Sequence, residues 1–197
     1  PEAKSAVAVE AASEATPARR PPGPAWASEA DVERAIAAYA RDIQSNPGNA
    51  LAYADRGRAW WSKGEAGRAF ADFDKAIHLD PDNAEAYNNR GLAWYGRKDY
   101  DRAIADFAQA IRLAPDDARA YNNRGNAYDD QRDAAKALAD YDRAIALDPS
   151  AAAAYLNRGI VRRNNGERSG ALADLAQAVK LDPKNANAQN ERGLALD

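Results

Sequence analysis

Between residues 84 and 113, small and apolar residues recur at steps of three and four in two runs, 84–97 and 100–113. A spacing near 3.6 marks each run as an amphipathic helix with one face to bury. The pair of runs returns with a period of 34 residues. The pentapeptide Tyr-Asn-Asn-Arg-Gly stands at 87–91 and again at 121–125, with weaker copies at 53–57, 155–159 and 189–193. Pro47, Pro81, Pro115, Pro149 and Pro183 keep the same period, each placed to stop a second helix and open the next turn. A single pair of such helices cannot cover its own apolar faces, so neighbouring pairs must stack.

Glycine inside a helix costs about 1 kcal/mol against alanine, yet it recurs at Gly57, Gly91, Gly125, Gly159 and Gly193. A side chain must be excluded there, and the expected partner is the alanine twelve residues on: Ala69, Ala103, Ala137 and Ala171. The ends are half units. Residues 28–47 carry only a second helix, behind a capping-box-like start at Ser28, and residues 186–197 carry only a first helix. The expectation is ten helices: one, four pairs, one.

One copy reads Tyr87, Arg90, Gly91, Trp94, Ala103, Phe107, Pro115. Others read Tyr53, Gly57, Trp60, Ala69, Phe73, Pro81 and Tyr121, Gly125, Tyr128, Ala137, Tyr141, Pro149; the fourth keeps Tyr155, Gly159, Ala171 and Pro183 but has Arg162 and Leu175 for two aromatics. This pattern resembles the tetratricopeptide repeat. The resemblance implies an all-α, right-handed superhelical solenoid of antiparallel helix pairs. Its divisions would be an N-terminal half-repeat at 28–49, repeats at 50–83, 84–117, 118–151 and 152–185, and a C-terminal half-repeat at 186–197.

Residues 1–27 hold five of the ten prolines and little to bury, the composition of a leader or linker. The net charge of −3 sets up no basic field for nucleic acid, and no apolar run reaches the length of a membrane span. With no cysteine there are no disulfides or thiolate metal sites. That favours a periplasmic or cell-envelope setting over a cytoplasmic one only slightly. Methionine is also absent, as expected of a mature or trimmed chain.

Within the pentapeptide, Arg56, Arg90, Arg124 and Arg158 are each followed sixteen residues later by Asp72, Asp106, Asp140 and Asp174. In an antiparallel pair those positions face each other, so an Arg–Asp bridge across each hairpin is expected. Each arginine thus brings its own counter-charge, which argues against a phosphate clamp.

The second asparagine position holds Asp55, Asn89, Asn123, Asn157 and Glu191. In the family this position faces the concave groove, and the column resembles the asparagine ladder of O-GlcNAc transferases, which holds a peptide backbone. A carboxamide donates and accepts at once, so it can pair with a peptide unit of any sequence. Duplication without selection also accounts for a repeated amide; the two readings differ in whether the amides touch a ligand. Carried onto the family's groove positions, the N-terminal half adds Leu51, Arg58, Trp61, Leu92 and Tyr95, with Asn88, Asn122 and Asn126 beside the column. The C-terminal half adds Asp129, Asp130, Arg163 and Asn164, while Trp60 and Trp94 are expected in the core. The positions that form a carboxylate clamp in chaperone-binding relatives hold Ala54, Arg58, Asn89, Arg119 and Asn123, only part of the required set.

Nothing in the sequence points to an enzyme or a cofactor. The lone His78 falls on a surface position, the Asp pairs at 116–117 and 129–130 read as helix-end charge, and no phosphate loop, metal spacing or nucleophile–base pair is present. The expected function is a scaffold binding an extended segment of a partner protein in its groove. The alternative is a self-assembling or complex-stabilising subunit, a homo-oligomer or part of a larger complex, that uses its ends and tail. The leader is expected to lie extended on a surface, with Pro21, Pro22 and Trp26 as anchors and Arg19 and Arg20 meeting Asp55 or Glu85.

Overall fold

A computed structural model of the chain describes Trp26 and residues 28–195. It is all-α, with ten helices and no strand among the described residues. They are α1 (Glu29–Ser45), α2 (Ala50–Ser62), α3 (Ala66–Leu79), α4 (Ala84–Gly96), α5 (Tyr100–Leu113), α6 (Ala118–Asp130), α7 (Ala134–Leu147), α8 (Ala152–Asn164), α9 (Arg168–Leu181) and α10 (Ala186–Leu194). The expected order of one helix, four pairs and a last helix is present. No helix among the described residues is long and apolar enough to cross a membrane.

The chain forms two compact units, divided after Leu113. In the first, α1 packs on α2, α2 pairs with α3, α3 packs on α4, and α4 pairs with α5. In the second, α6 pairs with α7, α7 packs on α8, α8 pairs with α9, and α9 packs on α10.

Local chemistry sets the helix starts. Ser28 caps α1 by accepting from the Asp31 amide at 3.2 Å. Asn49, Asn83 and Asn185 accept from the third amide of their helices, and Asp117 accepts from the Arg119 amide at 2.9 Å. Ala151 stands at the same position before α8 and supplies no cap. Between the helices of each pair the backbone turns through the left-handed region at one fixed position, occupied by Gly64 (φ 82), Lys98 (φ 61), Arg132 (φ 64) and Gly166 (φ 79).

The periodic glycines lie where the two helices of a pair cross. A Cβ on Gly57 would stand 2.7 Å from the Phe73 ring, one on Gly91 2.7 Å from Phe107, and one on Gly125 2.7 Å from Tyr141. The partner is therefore chiefly the ring sixteen residues on, correcting the expectation of an alanine contact. The alanines contribute only backbone, the carbonyls of Ala69 and Ala103 at 3.1 and 3.3 Å. An alanine at that position lets the second helix approach until the following ring covers the glycine. Leu175 does the same for Gly159, whereas nothing lies within 4 Å of a Cβ on Gly193. Phe73, Phe107, Tyr141 and Leu175 are fully buried and form the spine of each pair's core.

Candidate functional site

Arginine and aspartate meet across every hairpin as the sixteen-residue spacing predicts. Arg56 donates from Nε and Nη2 to Asp72 at 2.7 and 2.8 Å, and Arg90, Arg124 and Arg158 repeat the same two-pronged bond to Asp106, Asp140 and Asp174. Each guanidinium also lies near the tyrosine ring three residues earlier, for example Arg90 at 5.6 Å from the Tyr87 centroid. Tyrosine and arginine of the pentapeptide thus form one structural assembly. The hydrogen bonds they donate to the aspartates raise the pKa of all four arginines above the ordinary value. These charges are committed to the fold.

The asparagines between them are buried. Asn88, Asn89, Asn123, Asn126 and Asn157 are each less than 9% exposed. In the second unit the amides bond one another: Asn157 Nδ2 donates to Asn126 Oδ1 at 2.9 Å and to Asn122 Oδ1 at 3.2 Å. The Tyr141 hydroxyl donates to the same Asn126 Oδ1 at 2.9 Å. In the first unit, Asn89 Nδ2 is buried with no acceptor. A buried amide donor without a partner costs about 1–3 kcal/mol.

At the positions that hold a carboxylate in place of the amide, Asp55 and Glu191, an arginine holds it. Arg58 of α2 donates to Asp55 at 3.0 Å and to Glu85 of α4 at 3.4 Å, tying two first helices together. Burial, reinforced by the charge of Glu85, pushes the Asp55 carboxyl above its ordinary value despite Arg58. The hydroxyl of Tyr39 on α1 is also pushed up, by burial and by Asp55. In the second unit Glu191 of α10 pairs with Arg163 of α8.

Other expected groove residues are more deeply engaged than their positions imply. Trp61 meets Phe70 edge-on at 6.2 Å and lies over Gly96, where a Cβ would come within 2.6 Å of its ring. Leu92 is buried, and Tyr95 packs on Tyr100 at 5.7 Å. Leu51 remains more than half exposed. Trp60 packs against the core of Ala69, Phe73 and Ala93, and Trp94 stacks on Phe70 at 4.2 Å, both partly buried. Of the clamp positions, Ala54 is buried, Arg58 is already paired, and Arg119 bonds Asp117 of its own cap at 2.9 and 3.0 Å. His78 is exposed.

Of the expected leader anchors, Trp26 falls within the described residues. Trp26, two residues before the Ser28 cap, lies with its ring centroid 5.9 Å from the Arg58 guanidinium. The leader residues expected beside it, Arg19, Arg20, Pro21 and Pro22, lie outside the described residues.

Family models described as tetratricopeptide repeat match residues 125–193 and, in overlapping stretches, 27–84, 68–118 and 88–152. Among solved structures, MamA is 28% identical with a TM-score of 0.69, over 80% of this chain and 92% of that one. YrrB, a TPR protein with an unusual peptide-binding site, is 26% identical with a TM-score of 0.68, over 81% of this chain and 82% of that one. A thermophilic TPR protein of Thermus thermophilus, TTC0263, is 20% identical with a TM-score of 0.71, over 85% of this chain and 91% of that one, a likeness of fold alone. No curated protein matches the chain.

Proposed function

The chain belongs to the tetratricopeptide repeat family of protein-interaction scaffolds, and from that premise we propose that the amide-bearing first helices hold an extended segment of a partner protein. The observation that carries the proposal is Asn89, a buried side chain whose Nδ2 has no acceptor. A peptide carbonyl supplies one. The neighbouring Asp55 and Glu85 carboxylates and the exposed Leu51 add acceptor and apolar contacts on the same helices. In the second unit, the bonded group of Asn122, Asn126 and Asn157 is a preorganised set of carboxamides for the same work. Each amide–peptide bond contributes about 0.5–1.5 kcal/mol net, so affinity comes from several together and little depends on the ligand's side chains. The peptide-binding site of YrrB, a protein of similar fold and comparable length, supports the same reading.

The test is capture of partners from the source organism by wild type and by the double variant Asn89→Ala, Asn123→Ala. Binding of the captured partner should weaken by about 1–3 kcal/mol in the variant. Equal affinity would return the amides to inherited duplication. A second reading, assembly through the solenoid ends, is favoured by one feature: Leu194 on α10 is 52% exposed. In that case Leu194→Lys lowers the mass seen by light scattering and the amide variant does not.

A further inference from the structure

Trp26 brings the chain onto the face where α2 and α4 meet. Its ring lies on Arg58, and Arg58 is the single guanidinium between Asp55 and Glu85. Two carboxylates against one arginine leave negative charge in excess there, and the raised pKa of Asp55 is consistent with that. The sequence immediately before Trp26 is Arg19-Arg20-Pro21-Pro22-Gly23-Pro24-Ala25. Six residue steps lead from Arg20 to Trp26, and an extended chain of that length reaches about 20 Å. Packed helices lie about 8–10 Å apart, so the segment can cross α2 and α4 together. Its three prolines bring no N–H but keep their carbonyls as acceptors, and they favour an extended form that lowers the ordering cost. Asn89 on α4 offers the complementary group, a donor without an acceptor.

We propose that residues 19–25 occupy the α2–α4 face of their own chain as an internal pseudo-ligand, anchored by Trp26 on Arg58, with Arg19 and Arg20 meeting Asp55 and Glu85. The inference rests on the reading of that face as a peptide site and names its resident occupant. An incoming partner segment displaces the leader, so the leader sets the threshold for binding.

The chain has no cysteine, so Ala18→Cys in the full-length protein places a single nitroxide beside the two arginines. Spectra of the 15N-labelled protein are compared before and after reduction of the label. The expected result is loss of the Asn89 side-chain amide signals and of the backbone signals near Asp55 and Glu85, restored when Trp26→Ala, Arg19→Glu and Arg20→Glu are added. Intact signals at Asn89 overturn the proposal. So does broadening that persists with all three anchors changed, or broadening that appears only when spin-labelled 14N protein is mixed with unlabelled 15N protein, which assigns the leader to a second copy. Partner capture separates this proposal from the reading beneath it. Capture that depends on Asn89 and Asn123, with no leader broadening, leaves the peptide site standing and removes the occupant. Broadening with capture indifferent to those amides removes the peptide site and the leader's displacement role with it.

Discussion

Arg90 binds two carboxylates on two different helices, Asp106 on α5 and Asp74 on α3, each at 2.7 Å. The first bond closes its own hairpin; the second ties that hairpin to the preceding one. Arg158 does the same with Asp174 and Asp142.

The two bonds differ in burial, and their loss should differ in cost. Asp106 has a 9% exposed side chain and Asp74 a 63% exposed one. Arg90→Ala leaves the Asp106 charge buried and should cost about 3–5 kcal/mol. Asp74→Ala removes a largely solvated partner and should cost about 1 kcal/mol or less. Urea midpoints of the two variants check this; similar losses would mean that solvent reaches Asp106 freely.

Gly91→Leu drives a branched side chain into the Phe107 ring and should cost about 3 kcal/mol. Gly193→Leu meets nothing within 4 Å and should leave stability unchanged or raise it by up to about 1 kcal/mol, the gain in helix propensity alone. Thermal melting of the pair isolates the crossing from the helix propensity of glycine itself.

Ala151 occupies the cap position at which Asn49, Asn83, Asp117 and Asn185 bond the first turn. Ala151→Asn should therefore add about 1 kcal/mol. No rise in the denaturation midpoint would show that this loop holds its amides in some other way.

Lys98 and Arg132 sit at φ 61 and 64, where Gly64 and Gly166 stand in the other pairs. A left-handed non-glycine residue costs about 1–2 kcal/mol, so Lys98→Gly and Arg132→Gly should each raise the melting temperature, with a gain of roughly 1 kcal/mol. Gly64→Lys should lower it.

Asp55 supplies a pH test. Its folded pKa lies above the unfolded value, so its protonated form is the one the fold favours. The contribution is fully present below the unfolded carboxylate value and is lost as pH rises through the folded one. Asp55→Asn should melt no lower than wild type at pH 7, with the difference vanishing in acid. A drop in melting temperature at pH 7 would mean that the bond to Arg58 outweighs burial.

Much of this architecture was legible because each determinant pairs residues within one hairpin. The sixteen-residue offset of Arg90 and Asp106 sets their bond; the same offset puts Phe107 over Gly91, where the spacing had suggested Ala103 instead. Features that depend on a neighbouring pair were harder to see. Gly96 reads as an ordinary helix end until the Trp61 ring from the preceding pair is placed on it. The amides were expected to look outward, but spacing alone cannot show that Asn157 turns to Asn122 and Asn126 on a helix two elements earlier. The left-handed turn escaped notice because its position holds glycine, lysine, arginine and glycine, a set with no shared chemistry. Trp26 lay outside the period altogether, so nothing in the repeat could assign it to Arg58.

The sixteen-residue bond has a bearing on how such a chain changes over generations. Arg56–Asp72, Arg90–Asp106, Arg124–Asp140 and Arg158–Asp174 each begin and end inside one copy. Gain or loss of a whole copy therefore leaves every remaining buried charge with its own partner. Length can grow or shrink by recombination in steps of one copy without stranding an ion, whereas a deletion of half a copy strands one at once. Copy number can then change as a discrete quantity, one self-contained set of buried charges at a time.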